Sequence, residues 1–152
     1  MNSEGPISWL PEKLLDSKQK KIERSTLNDV QFIGFYFSAN WTEACRNFNK
    51  KLTDFYVKLN NIEPGSKLFE VVFFSAEQDE KTFQNYCKTM PWLACPLNTF
   101  EQESIENGCE IKRIPALIIF SQGGELIEEN GEQALENDPE MTYGIWLSKA
   151  FN

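Results

Sequence analysis

The sequence contains no histidine. That absence removes the commonest general base, the commonest zinc ligand and every histidine-dependent triad. Bases are also scarce, with 15 lysines and arginines against 23 acids and a formal net charge of −8. A chain this acidic is a poor nucleic-acid binder, because the phosphate backbone selects basic surfaces. No apolar run approaches the ~20 residues of a membrane-spanning helix. The first residues, Met1-Asn2-Ser3-Glu4-Gly5-Pro6, lack a basic segment followed by an apolar one, so neither a signal peptide nor membrane insertion is expected. Without a secretory signal, the four cysteines read as free thiols in a reducing, cytoplasmic compartment. A zinc or iron–sulfur site would need all four thiolates to converge, so no metal and no cofactor is expected.

What is present describes one ordinary domain. The 152 residues are 41% hydrophobic and 25% charged, which is globular composition. Eleven of the acids but only Lys112 and Arg113 among the bases lie in residues 101–140. This segment is either a solubilising surface or an acidic face for a basic partner.

The apolar pattern alternates between strand and helix. Gln31 to Phe37 is a continuous apolar run, as in a strand buried on both faces. Cys45, Phe48, Leu52, Phe55, Tyr56 and Leu59 then form one helical stripe, ended by Glu63-Pro64-Gly65-Ser66. Leu68 to Ser75 predicts a second buried strand. Asp79 to Lys88 predicts a helix with Phe83, Tyr86 and Cys87 inward, and Pro91 and Pro96 impose extended chain between them. A short helix is expected over Glu101 to Asn107 with Gly108 as its cap. Pro115 to Ser121 and Leu126-Ile127 read as strands joined by a Gln122-Gly123-Gly124-Glu125 turn. Asp138-Pro139 opens a last helix with Tyr143, Trp146, Leu147 and Ala150 on its apolar face. The order implies an α/β fold, a mixed sheet with helices on both faces. Residues 31–152 form the domain. Residues 1–30 are an extension docked through Trp9, Leu10, Leu14 and Leu15, either as an extra hairpin or as a tail over a partner.

Three stretches together resemble the thioredoxin superfamily, and within it the tryparedoxin and nucleoredoxin branch. Phe35 to Arg46, with Trp41-Thr42-Glu43-Ala44-Cys45-Arg46, is similar to the strand, Trp-Cys-x-x-Cys-Arg motif and helix of that branch. Phe69-Glu70-Val71-Val72-Phe73 and Met90-Pro91-Trp92-Leu93-Ala94-Cys95-Pro96 resemble its second strand and a marker segment. Ile111 to Leu117 resembles the segment with the family's cis-proline, which implies a cis Ile114–Pro115 bond. The resemblance covers roughly residues 30–130 and implies a thioredoxin-like fold.

The departure from that pattern decides the expected function. The family's first cysteine is the nucleophile at a helix N-terminus, and the second resolves the mixed disulfide. Here the first position is Thr42, which cannot form a disulfide, and only Cys45 remains. Glu43 and Ala44 stand where the branch usually has prolines, and an acid beside a thiol disfavours the thiolate. Tyr36 occupies the position of the buried acid found in many thioredoxins, as is usual in this branch.

Cys45 is therefore either a core residue or, with Thr42 as hydrogen-bond donor, a monothiol oxidoreductase or peroxidase centre. A regulatory thiol sensor at Cys45 or Cys95 is a third class, and Cys95 is also the one candidate for a non-standard resolving thiol. Trp41, Thr42, Glu43, Trp92, Ile114 and Pro115 would line a peptide-binding groove, unless the two tryptophans pack against the sheet edge. The leading expectation is a redox-degenerate binding or structural subunit with protein partners in a larger assembly. The lack of histidine, with frequent Asn and Lys, suggests an AT-rich genome such as a ciliate's, and so a ciliary or cytoskeletal setting.

Overall fold

The computed structural model describes residues 5–151. At its centre are β3 (Phe32–Ser38) and β4 (Phe69–Ser75), parallel neighbours paired from Phe32↔Phe69 to Ser38↔Ser75. Every residue of both strands is buried, Glu70 of β4 included, as in strands covered on both faces. β6 (Ala116–Ser121) lies antiparallel on the other side of β3, and β7 (Leu126–Glu128) follows it through the expected turn. Gly124 takes φ 89° there, a left-handed conformation that glycine adopts without steric cost.

The extension is part of the same sheet. β1 (Lys13–Leu15) and β2 (Lys21–Glu23) form a hairpin, and Leu15 of β1 pairs with Ala94 of the short β5 (Leu93–Ala94). Asp16 closes that hairpin by accepting the Lys18 and Lys20 N–H groups at 2.8 and 2.9 Å. The seven strands run β2-β1-β5-β4-β3-β6-β7. Leu10, Leu14 and Leu27 anchor this part of the chain, each at most 1% exposed, and Trp9 packs edge-on against Phe120. Of the expected extension, residues 1–4 lie outside the described residues.

Two apolar cores sandwich the sheet, because alternate residues of β3 point to opposite faces. Phe32 and Tyr36 face α2 (Glu43–Asn60), α3 (Glu80–Cys87) and α6 (Pro139–Ala150). Trp146 of α6 sits there with the rings of Phe32, Phe55 and Phe69, centroids 5.3 to 5.5 Å away. Ile33, Phe35 and Phe37 face α4 (Phe100–Gly108) and α1 (Pro6–Trp9).

Two expectations are corrected. Gly108 is the last residue of α4, not its cap. Cys109 caps the helix, and Glu110 takes the left-handed conformation at φ 54°. The segment between β7 and α6 also holds a helix, α5 (Gly131–Asn137). Only Ala134 and Leu135 give it an apolar signal, too few for a visible helical stripe.

Candidate functional site

The chain leaves β3 at Ser38 and enters α2 at Thr42, so the motif sits at the C-terminal end of the central strands. Thr42 is the N-cap: its Oγ1 accepts the Cys45 N–H at 3.0 Å. Glu43 and Ala44 are exposed in the first turn, where the glutamate complements the positive end of the helix dipole. Cys45 has no exposed surface. It follows the stripe of α2 inward.

Beneath the helix start lies a buried hydroxyl network. The Tyr36 hydroxyl donates to Asn49 Oδ1 at 3.1 Å, and Asn49 Nδ2 donates to Thr89 Oγ1 at 3.2 Å. Ser38 Oγ and the Tyr86 hydroxyl are 3.0 Å apart. Burial, reinforced by neighbouring Tyr86, drives the Tyr36 phenol well above its ordinary value. Burial likewise raises Tyr86. Both phenols are neutral hydrogen-bonding groups at physiological pH.

The loop before Thr42 is pinned from both sides. The Asn40 N–H donates to Glu77 Oε1 at 2.5 Å, and the Arg46 guanidinium donates to the Asn40 carbonyl at 2.7 Å. Between these contacts and the cap, Trp41 stands 58% exposed. The Ile114–Pro115 bond is cis, and both residues are half-buried. Pairing of Ala116 with Phe37 brings this loop beside the end of β3. A groove of about 390 Å³ separates it from the first turns of α2, lined by Ala44, Asn47, Phe48, Ile114 and Pro115.

Trp41, Thr42, Glu43, Ile114 and Pro115 thus all reach the surface at one end of the sheet. Trp92 does not join them. It is 2% exposed and packs edge-on against Tyr36 and Tyr56, with centroids 5.7 and 5.5 Å away. Its place just before β5 turns the ring under α2. Cys95 is also withdrawn: it belongs to the core on the α4 side, across the sheet from α2. Burial pushes its thiol up to about 12, with Thr99 Oγ1 at 3.6 Å as its partner. Cys95 thus lies across the sheet from Cys45 as an enclosed thiol rather than on the same rim. Burial also raises Cys87 to about 12 and Cys109 to about 11. All four cysteines are free thiols. Among the described residues, no three cysteines and acids stand close enough to hold a metal ion, and no helix is long and apolar enough to cross a membrane.

Two positioning carboxylates escape sequence reasoning. Glu77 holds Asn40 across 37 residues, and no local pattern marks such a contact. Glu132 of α5 accepts the Leu117 N–H at 3.1 Å, two residues beyond the cis-proline. It belongs to the helix whose apolar signal is weak.

The comparisons with known proteins agree with this geometry. The profile of a family described as thioredoxin-like matches residues 29–126. A nucleoredoxin of Danio rerio is 37% identical over 123 residues, covering 80% of this chain and 29% of that protein. A nucleoredoxin of Bos taurus is 36% identical over 137 residues, covering 90% of this chain and 31% of that protein. The chain therefore spans less than a third of the length of these relatives. Among solved structures, native tryparedoxin I from Crithidia fasciculata superposes with a TM-score of 0.77 at 33% identity, covering 88% of this chain and 91% of that one. Tryparedoxin from Trypanosoma brucei gives 0.78 at 30% identity, covering 91% and 95%. The chain belongs to the thioredoxin superfamily, in its tryparedoxin/nucleoredoxin-like branch.

Proposed function

We propose that this chain is a redox-degenerate protein-binding module, in which the thioredoxin fold and its cis-proline surface serve to dock a partner segment. One observation carries the reading: Thr42, at the nucleophile position, spends its oxygen on capping the Cys45 N–H, and Cys45 exposes no surface. A hydroxyl cannot form a disulfide, and an enclosed thiol cannot attack one. The exposed Trp41, at the same end of the sheet as the cis-proline groove, is an amphipathic anchor of the kind that dominates protein interfaces.

The test is reduction of insulin disulfides by the full chain with a dithiol reductant. The parent is expected to show no turnover above reductant alone. Thr42→Cys is expected to gain it, because the scaffold and the second cysteine remain. Turnover by the parent that disappears in Cys45→Ala overturns the proposal. It would establish the second reading, a monothiol oxidoreductase or peroxidase using Cys45 and Thr42. The names of the relatives, nucleoredoxin and tryparedoxin, favour that second reading. The assembly we propose for the module is cytoplasmic, with a ciliary or cytoskeletal structure the first to examine by epitope tagging. Its support is the sequence composition.

A further inference from the structure

The helix α6 is apolar on more than its buried side. Thr142 and Trp146 are enclosed. Opposite them Met141 and Ile145, one turn apart, stand 58% and 46% exposed, and Gly144 and Ser148 share that outer face. A surface helix that packs on one side only carries polar residues on the other.

Gly144 sits inside a helix of 12 residues, where glycine is destabilising relative to alanine. A Cβ on Gly144 would meet nothing within 4 Å, so packing within the described chain does not require glycine there. Bare backbone beside two exposed apolar side chains is what lets a second helix approach closely. The apolar surface also continues onto α2. Glu140, one turn before Gly144, borders a hollow of about 560 Å³ that α6 shares with α2. Phe55, Leu59 and Tyr143 line it, and Ile62 stands 55% exposed at it.

We propose that α6 and the adjoining end of α2 form the face on which a second copy of this chain docks. The pattern of α6 is complementary to itself. A two-fold axis between residues 144 and 145, with the two helices antiparallel, sets Met141 of each copy opposite Ser148 of the other, large against small. It sets Gly144 against its own mate, where the backbones close up, and Ile145 against its own mate. The charges obey the same symmetry. The helix begins with Asp138 and Glu140 and ends with Lys149, so antiparallel mates bring each acidic end beside the other's lysine. Lys149 Nζ donates to the Ile127 carbonyl at 3.3 Å and to Glu128 at 3.5 Å, which leaves it an N–H for a further acid. Two helices of this length make a small contact, and the α2 patch enlarges it toward the lower range of specific interfaces. This face is separate from the cis-proline groove: Lys51 and Glu136 pair with each other where the two hollows adjoin.

The test is sedimentation equilibrium of the full chain from about 1 μM to about 1 mM, with a thermal melt of every variant. The parent is expected to pass from monomer to dimer within that range. Ile145→Glu sets two carboxylates face to face and should weaken association at least ~tenfold. Lys149→Glu should weaken it too, by bringing acid to acid. Gly144→Ala separates stability from association. Its melting temperature at low concentration should rise by ~2–4 °C, because alanine is the better helix former, while association weakens. Phe100→Ser removes a more exposed side chain across the sheet and should leave association unchanged.

A parent that stays monomeric throughout overturns this inference. So does a dimer that Ile145→Glu leaves intact, or a Gly144→Ala chain that gains both stability and association. Growth beyond a dimer overturns the closed two-fold contact. Each of these results leaves the docking reading at the cis-proline surface standing, since none of the altered residues lines that groove.

Discussion

At the residue scale, Thr42 links sequence, stability and chemistry. Threonine is a good N-cap because its oxygen replaces a missing carbonyl partner for the first turn of the helix. Thr42→Ala removes that acceptor from the Cys45 N–H. The expected loss is about 1 kcal/mol, or ~2–4 °C in melting temperature for a domain of this size. Thr42→Ser should hold the parent's melting temperature, and calorimetry of the two variants checks the assignment. The inward turn of Cys45 was legible beforehand in its three-residue step to Phe48, whereas the cap at Thr42 emerges only in the structure. The inward turn of Trp92 was not legible. Its marker segment resembles the family's, but only the packing of Tyr36 and Tyr56 shows which side the ring takes.

At the element scale, α5 clamps the cis-proline loop. A Cβ on Gly131 would stand 2.9 Å from the Leu117 carbonyl oxygen, so helix and strand approach as only glycine permits. Gly131→Ala should therefore cost about 1–3 kcal/mol, the range for overpacking a tight contact. Denaturant midpoints measure it. Glu132→Ala has a more local signature. It strips the acceptor from the Leu117 N–H, so hydrogen exchange at that amide should accelerate, while Glu132→Gln retains a carbonyl acceptor and the slow rate. Long, strongly patterned elements such as β3, β4 and α2 could be read from the sequence. Of the short ones, β7 and α4 were legible through a turn and an apolar pattern, but α5 was not, and the N-terminal hairpin was only one of two alternatives, without bounds. β1 and β2 have three residues each and gain their strand character from pairing with each other and with β5.

At the scale of the whole molecule, buried carboxyls set the response to pH. Glu70 is buried in β4, and burial raises its carboxyl despite the Lys67 ammonium at 3.0 Å and the Tyr56 hydroxyl at 3.1 Å. Glu106 is raised as well. An acid whose folded pKa exceeds its unfolded value binds its proton more tightly in the native state. Stability therefore rises as pH falls through the folded pKa, and levels off below the unfolded value of about 4.3. Asp79 acts in the opposite sense. As the N-cap of α3 it accepts the Thr82 N–H and hydroxyl, which lower its carboxyl. Its contribution is present above the unfolded pKa and is lost as pH falls through the folded one. Denaturant midpoints should accordingly increase as pH falls from neutrality toward the unfolded value, and Glu70→Gln should flatten that rise. A flat parent profile, or one unchanged in Glu70→Gln, would assign the proton uptake elsewhere. The mixed sheet with helices on both faces followed from the order of elements, but the strand order, with the N-terminal hairpin at one edge, did not.

The cap at Thr42 also has a genetic meaning. In the standard code the shortest route from a threonine codon to a cysteine codon passes through serine. Serine caps a helix as well as threonine does. A lineage could cross between the two states of this position through an intermediate that folds normally, so the step between a module without disulfide chemistry and one with it meets no valley of stability.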